Sequence, residues 1–502
     1  MPAPLTESTP PAAHGVAQEI QWEDFRDHLT TAEKDGSRRW VYPKQPAGFW
    51  YRHRTHLSWL LIAIMFAGPW IRINDNPLLL VNIIERRFSI LGQIFWPQDT
   101  LIFAVAMLIF FAGIMIFTTA FGRLWCGWTC PQTVMMEMVF RKLEYLIEGD
   151  AAEQRALDAA PWTGRKVFKK MFKHAVFFGL SFAIGNTLLA YLIGSEQLLQ
   201  IQLDDPRRHL VGLTFMTLFS LLFYAIFARF REQACTFICP YGRFQSALLD
   251  ENTLLVTYDH KRGETRAPLH RNETFPQRKA EGKGDCVNCR ACVAVCPTGI
   301  DIRNGVQMEC VNCTACIDAC DAIMDKIGQP RGLVRYASLN NITHGTPQRL
   351  TARMKLYAAV LTGLIVLFLY LVFTRSEVET TLLRAPGSLF QMTAKGRIEN
   401  LYTVKVVNKT MHDVPVELRL ENLPGKVHVM GGDFTAPAAK LAQTSVLIEL
   451  NPKQLAGPST RLKLGVYSNG KLLETVNTTF VGPRRSEHHE EHGTHEREHQ
   501  HR

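Results

Sequence analysis

Apolar and polar residues are segregated along this chain into five long uncharged stretches, at about 55–71, 100–121, 175–195, 209–228 and 356–374. A bilayer crossing takes roughly 20 apolar residues, and a charge at its centre costs about 2.5–3.5 kcal/mol on insertion scales. One such stretch suits a buried core helix. Five predict a membrane protein with five transmembrane α-helices, the first being the shortest and containing Gly68 and Pro69. Residues 1–54 are polar and show no cleavable signal peptide. They read as a flexible cytoplasmic arm, with Trp40, Tyr42, Phe49, Trp50 and Tyr51 packing at the interface. The apolar segment 77–84 is too short to span and reads as a small external hairpin or an interfacial segment. The stretch 135–146 has the pattern of an amphipathic helix on the inner membrane surface, and 149–165 that of a loop.

Beyond residue 374 the period becomes two. Alternating runs at 401–408, 414–420, 427–430, 445–450, 461–467 and 475–481 are separated by Asn, Gly and Pro turns. Short strands at this spacing predict an antiparallel β-sandwich of immunoglobulin-like type, built without a cysteine. The chain is therefore expected to be a multidomain membrane protein. Its parts are an arm at 1–54, a four-helix membrane domain at 55–250 and an α+β ferredoxin-like unit with linkers at 251–354. A fifth helix at 355–374, an Ig-like domain at 375–485 and a His-rich tail at 486–502 complete it.

The 47% hydrophobic content of the 502 residues hides this segregation, and the net charge of +10 sharpens it. Arg38, Arg39, Arg52 and Arg54 precede the first stretch, and Arg123, Arg141, Lys142, Arg165, Lys166, Lys169, Lys170 and Lys173 follow the second. Basic loops face the cytoplasm, so the charge is read as topology rather than as nucleic-acid binding. The N-terminus then lies inside and the C-terminal domain outside.

All 12 cysteines fall between Cys126 and Cys320. Residues 286–297 read CVNCRACVAVCP and 310–320 read CVNCTACIDAC, each with C-x2-C-x2-C-x3-C spacing. Three thiolates two residues apart wrap one face of an iron–sulfur cube, and the last Cys of each run crosses to the other cluster. Cys286, Cys289, Cys292 and Cys320 are thus expected on one [4Fe-4S] cluster, and Cys310, Cys313, Cys316 and Cys296 on the second. Zinc pairs are normally C-x2-C units with a longer insert between them, and do not need this double register. Pro297 follows the first run, whereas Asp321 follows the second.

The other four cysteines form C-x3-C-P twice, as Cys126, Cys130, Pro131 and Cys235, Cys239, Pro240, each after an apolar stretch. This is an internal repeat, and two halves packed about a pseudo-twofold axis would bring the four thiols together near the inner face. Pro favours the first helical turn, and a helix N-terminus eases deprotonation of a thiol. Such a site suits Cu(I), zinc or a third iron–sulfur centre. Met135, Met136 and Met138 read as packing rather than as thioether ligands. His488, His489, His492, His495, His499 and His501 in the tail offer weak Cu or Zn binding or none. No nucleotide fold, nucleophile triad or phosphate loop is visible, so hydrolase and transferase readings have no support.

The order of two C-x3-C-P motifs, a double ferredoxin run, a last span and an outside β-domain resembles the cytochrome c oxidase accessory protein family CcoG, also called FixG or RdxA. The resemblance covers about residues 35–483. It implies a bacterial inner-membrane iron–sulfur electron-transfer protein serving assembly of cbb3-type oxidase. Its implied activity is that of a cupric reductase taking Cu(II) to Cu(I), with Cys126, Cys130, Cys235 and Cys239 as further redox residues. The implied partners are oxidase subunits or assembly factors, copper ions and an unidentified cytosolic electron donor. The C-x3-C-P pairs also occur in membrane quinol dehydrogenase subunits resembling NapH, which leaves a quinol-linked carrier as one alternative. A non-redox assembly scaffold is the other.

Overall fold

The computed structural model describes residues 31, 37–73, 76–82, 87–90, 93–96, 99–271, 273–347, 350–385, 390–393, 396–410, 412–438 and 440–483. The His-rich tail lies outside them. The chain divides into two compact units. The first takes in residues 1–72, 77–86 and 100–368, and the second takes in 73–76, 87–99 and 369–502.

Four helices are long and apolar enough to cross a membrane: Thr100–Phe121, Gly164–Ile193, Pro206–Phe230 and Ala352–Phe373. The first stretch forms the 19-residue helix Phe49–Ala67, but Arg52, His53, Arg54 and His56 dilute its apolar character. The helix Gly164–Ile193 starts well before the expected boundary, because its basic N-terminal turns are paired rather than solvated. Lys173 lies 2.9 Å from Glu148 and 3.3 Å from Glu144, and Lys170 lies 2.9 Å from Glu148 and 2.6 Å from Asp158. Two of the cations read from sequence as loop charges are thus held in ion pairs inside the unit. Gly185 on the same helix has no room for a side chain: a Cβ there would stand 2.8 Å from Met216 Cε and 3.3 Å from Ser220 Oγ. Small residues permit such close helix approach where the hydrophobic effect gives no help.

The stretch expected as a surface amphipathic helix is instead buried on both faces. It runs as a π-helical turn, Met135–Phe140, into the helix Arg141–Glu148. Phe140 stacks on Phe227 at 4.3 Å and meets Phe177 edge-on at 4.9 Å. Met135 and Met136 belong to this core, as expected of packing residues. On the other face Arg231 chelates Glu144 through contacts of 3.1 and 2.6 Å, and Arg141 meets Glu137 at 2.6 Å. Internal ion pairs explain why the polar face can be buried. The segment expected as a loop at 149–165 contains the helix Ala151–Ala159.

From residue 37 onward the described part of the arm is pinned down. Arg38 reaches Glu232 at 2.9 Å, Tyr42 donates to Asp158 at 2.6 Å, and Lys44 N–H donates to Ala294 O at 2.7 Å. The guanidinium groups of Arg38 and Arg231 lie 4.1 and 5.0 Å from the ring of Trp40. The ferredoxin-like part of this unit pairs strand Leu255–Tyr258 with Val334–Ala337, antiparallel, beside the helix Ala315–Lys326. It is tied to the end of the helix Thr100–Phe121 by Leu254 N–H donating to Ala120 O at 3.1 Å.

The second unit is the expected sandwich. One sheet has the order Lys426–Val429, Leu441–Leu450, Ile398–Asn408, Val378–Arg384, and the other Phe434–Ala436, Val414–Leu420, Ser459–Ser468, Lys471–Val481. Alternate residues Tyr402, Val404, Val406, Val446, Ile448, Leu462, Leu464, Val466 and Phe480 fill the space between them. Tyr402 donates its hydroxyl across the sandwich to Thr479 O at 2.9 Å. The unit also takes in Asp99, whose carboxylate meets Lys409 at 2.7 Å and Arg375 at 2.5 Å.

Candidate metal centres

The two four-cysteine runs fold into loops with the same backbone. Asn288 and Arg290 have φ of 53° and 57°, and Asn312 and Thr314 have φ of 54° and 66°. The left-handed region is unusual for Asn and Arg and a genuine outlier for β-branched Thr. Alternating hand along a short loop turns successive N–H groups inward into a concavity of the kind that holds anionic iron–sulfur groups. Each loop then enters a helix, Ala291–Ala294 or Ala315–Lys326.

The eight thiols line two cavities, with Cys292 common to both. One cavity is lined by Cys286, Cys289, Cys292 and Cys320, with Tyr258, Met324, Leu333 and Val334. The other is lined by Cys296, Cys310, Cys313 and Cys316, with Cys292 at its edge and Val256, Ile300 and Ile302 as apolar wall. Among the described residues no three His, Cys, Asp or Glu side chains are arranged to hold a single ion. The eight thiols ring two cavities, and this donor set, with its inward N–H groups, fits two cubane clusters. Burial pushes the thiols of Cys292, Cys310 and Cys320 up to about 12 and that of Cys313 up to about 11. Arg303, Arg123 and Arg54 oppose this at Cys292, Cys310 and Cys313 respectively. Arg303 is itself fixed by Asp301 at 2.6 Å and by Asn288 Oδ1 at 2.7 Å.

The two C-x3-C-P motifs repeat in structure as in sequence. Gly122, with φ 56°, breaks the chain four residues before Cys126, and Arg231, with φ 52°, does so before Cys235. Cys126 lies in the short helix Leu124–Trp128 and Cys235 in the π-turn Ala234–Ile238. Cys130 and Cys239 each stand at an N-cap, with Pro131 and Pro240 opening the helices that follow. The proline signal thus placed both helix starts. Burial, and then Cys130, push the Cys126 thiol up to about 11, with Cys239 adding to the effect. Burial, then Cys130, Cys126 and Cys239, push Cys235 up to about 12. Cys126, Cys130, Cys235 and Cys239 thus lie near enough to influence one another, and burial is the first cause of the rise at Cys126 and Cys235.

Contacts between the halves come in corresponding pairs. Cys126 Sγ lies 3.3 Å from Gln245 Oε1, while Cys235 shares a cavity with Met136, the residue that corresponds to Gln245. Arg123 donates to the carbonyls of Gly242 and Met308. The corresponding Glu232 shares the Cys235 cavity with Thr133, the counterpart of Gly242.

Both halves face the Cys296, Cys310, Cys313 and Cys316 set rather than the other one. Cys126 packs in a cluster with Val295, Val311, Cys313 and Ala315. The cavity beside Cys235 is walled by Pro297, Thr298 and Val311. Gly127 lies against the carbonyls of Val311 and Asn312, where a Cβ would collide, and its own carbonyl accepts from buried Arg54 Nε at 2.6 Å. Trp128 Nε1 donates to Tyr336 at 3.2 Å, and Tyr336 donates to Asn312 O at 3.3 Å. Trp50 closes this corner edge-on to Trp128 and Tyr336, at 6.1 and 5.6 Å. Sequence reasoning missed Arg54, Arg123, Trp128, Gln245 and Tyr336. Only Gly127, set between two cysteines, carried a local signal of close backbone approach.

A family model described as a 4Fe-4S dicluster domain matches residues 230–339. Another, a 4Fe-4S binding domain, matches 103–148. A third, the Ig-like fold at the C-terminal of FixG, matches 368–483. The nitrogen fixation protein FixG of Rhizobium meliloti is 33% identical over 445 residues, covering 80% of this chain and 83% of that protein. Protein RdxA of Cereibacter sphaeroides is 34% identical over 472 residues, covering 88% and 97%. Protein RdxB of the same organism is 33% identical over 393 residues, covering 76% and 81%.

Proposed function

The chain belongs to the FixG/RdxA family, and from that premise we propose that it is a membrane iron–sulfur protein that carries electrons to the four C-x3-C-P thiols and there reduces Cu(II) to Cu(I). Four apolar helices and the 4Fe-4S domains make it a membrane protein of iron–sulfur type. Cys286, Cys289, Cys292 and Cys320 hold one cluster in this reading, and Cys296, Cys310, Cys313 and Cys316 the other. When bound, each cluster supplies a site that takes up and gives up one electron. The protein's own residues fix the order. The observation that carries the reading is that Cys126 packs on Cys313 and Val311 while Cys235 shares a cavity with Pro297, Thr298 and Val311. The second thiol set thus stands between the first set and the four thiols.

An unidentified cytosolic donor supplies the electrons, one for each Cu(II) reduced. Thiolates prefer Cu(I), so the site that receives the electron also retains the product. Delivery of Cu(I) toward the copper-dependent subunit of a cbb3-type oxidase, with oxidase subunits or assembly factors as partners, is the biological role this chemistry suits.

The proposed setting is the bacterial inner membrane, with the N-terminus and clusters cytoplasmic and the Ig-like domain periplasmic. Phe49–Ala67 is taken as a fifth crossing. Its start lies at the cluster end, where Trp50 and Tyr51 N–H groups donate to Asp318 at 3.1 and 2.8 Å. Its end accepts from Tyr191, near the far end of the Gly164–Ile193 helix, at 2.9 Å. At about 1.5 Å per residue, 19 residues nearly match a hydrocarbon core of about 30 Å.

One observation bears on the quinol alternative. A cavity of about 1150 Å³ lined by Phe182, Leu189, His209, Phe215 and Phe219 lies between the helices Gly164–Ile193 and Pro206–Phe230. None of the four C-x3-C-P thiols lines it, which favours the copper reading. Quinol-dependent reduction of the clusters without copper activity would overturn it. Loss of Cu(II) reduction on Cys126→Ala or Cys235→Ala is the expected result, measured with iron content held.

A further inference from the structure

Cys296 and Cys320 close the two runs, and each crosses to the other run's cluster in the reading above. Their surroundings differ. Thr298 is buried, and its Oγ1 stands 3.4 Å from Cys296 Sγ. Gly299, with φ 77°, turns the chain there, and its N–H donates to Cys296 O at 3.2 Å. Burial raises the Cys296 thiol, while the Thr298 hydroxyl, and then the N–H groups of Thr298, Ile300 and Gly299, oppose the rise. Cys320 instead lies inside the helix Ala315–Lys326, where the N–H groups that follow are taken up by the helix's own carbonyls. The next residue is Asp321, whose carboxylate accepts from Gly332 N–H at 2.9 Å. The cations differ in the same sense. Buried Arg54 and Arg123 act on Cys313 and Cys310, whereas Arg303, which acts on Cys292, is paired with Asp301 at 2.6 Å. Glu137 also bears on Cys313, but it is paired with Arg141 at 2.6 Å.

A sulfur that ligates iron carries no proton, so a hydroxyl beside it can only donate. Reduction adds one negative charge to a cluster, and hydrogen bonds to its sulfurs and the net charge around it set its potential. Burial of the second set disfavours that charge, and the donors at Cys296 with the two guanidinium groups offset the penalty. We propose that the two cluster sites are built unequal: the Cys296, Cys310, Cys313 and Cys316 site is the more readily reduced, and Thr298 is a positioning residue that raises its potential by donating O–H to the Cys296 sulfur. Transfer between the sites then runs downhill toward the C-x3-C-P motifs. One electron passes, the first cluster is oxidised as the second is reduced, and no bond is made or broken. Thr298 also walls the cavity beside Cys235, so the slope ends where those motifs begin.

The inference rests on both thiol sets holding cubane clusters. No copper enters its test, so its failure is separate from a failure of copper reduction. Full-length protein is purified anaerobically as wild type, Thr298→Val, Thr298→Ser, Cys289→Ser and Cys310→Ser. Each is titrated against redox mediators while cluster reduction is followed by EPR, with iron and sulfide measured per chain. Wild type should show two one-electron steps, the upper altered by Cys310→Ser and the lower by Cys289→Ser. Thr298→Val, with iron unchanged, should lower the reduced-to-oxidised ratio of the upper step about tenfold at a fixed potential, which is about 59 mV for one electron. Thr298→Ser keeps the hydroxyl and should keep the wild-type potential. An upper step that answers to Cys289→Ser instead overturns the slope, and this ordering is read without Thr298→Val. A Thr298→Val step at the wild-type potential, or a Thr298→Ser step lowered as far as that of Thr298→Val, overturns the role of Thr298. A wild type without cubane steps overturns the cluster reading itself.

Discussion

Glu144 shows how single residues hold the site together. Burial alone would raise its carboxyl, but the Arg231 guanidinium and Lys173 ammonium outweigh it and bring it down to about 2. A carboxyl held below its unfolded value stabilises the fold above about pH 4.3, and the contribution fades as pH falls toward the folded value. Thermal unfolding of the detergent-solubilised protein should therefore shift to lower temperature between pH 5 and pH 3, and Glu144→Gln should flatten that dependence. Removing one partner of a buried ion pair typically costs about 3–5 kcal/mol, so Glu144→Gln should also be less stable at pH 7. A pH profile identical to wild type would show that this pair carries no linkage. Gly127→Ala makes a second test at this scale. Its Cβ would collide with the carbonyls of Val311 and Asn312. It should lower Cu(II) reduction with both cluster signals kept, and full activity would show that the approach is not needed.

The ferredoxin loops and the C-x3-C-P motifs are elements whose function lies in backbone shape. Thr314 at φ 66° stores strain that the turned-in N–H groups of its loop require. Thr314→Gly should keep full iron and sulfide. Thr314→Pro fixes φ near −65° and should lose roughly half of about eight iron atoms per chain. Equal iron in both variants would argue against the loop shape as the determinant. These elements were also the most legible in sequence, since cysteine spacing marks both loops and proline marks the helix starts at Pro131 and Pro240. The sandwich strands were legible because buried and exposed residues alternate, as in Val414–Leu420. What escaped was whatever depends on distant partners. The π-helical Met135–Phe140 segment has an amphipathic pattern, yet Arg141, Glu144 and Glu148 are all buried, because Arg231, Lys173 and Lys170 arrive from other helices. Gln245 sits opposite Cys126 only because the repeat folds back on itself, and no local signal marks it. Nor does any local signal bring Arg38 and Arg231 to the ring of Trp40.

For the whole molecule, the internal repeat is the organising device. The helices Thr100–Phe121 and Pro206–Phe230 each run on toward a C-x3-C-P turn, and the dicluster insert between Pro206–Phe230 and Ala352–Phe373 supplies the loop that both turns face. The fifth crossing is tested by reporter fusions after residue 48 and after residue 72. Opposite sides for these two positions are expected, and the same side would remove Phe49–Ala67 from the spans. The central claim, that electrons held at the 286–320 cysteines reach copper through the four thiols, has one direct measurement. Anaerobic protein is reduced, freed of excess reductant and mixed with Cu(II) while cluster absorbance and chelated Cu(I) are followed together. Wild type should yield one Cu(I) for each electron lost from the clusters. The Cys126→Ala, Cys235→Ala double variant, with its iron intact, should keep its clusters reduced. Equal Cu(I) formation by that variant, or reduced wild-type clusters that do not respond to Cu(II), would contradict the account.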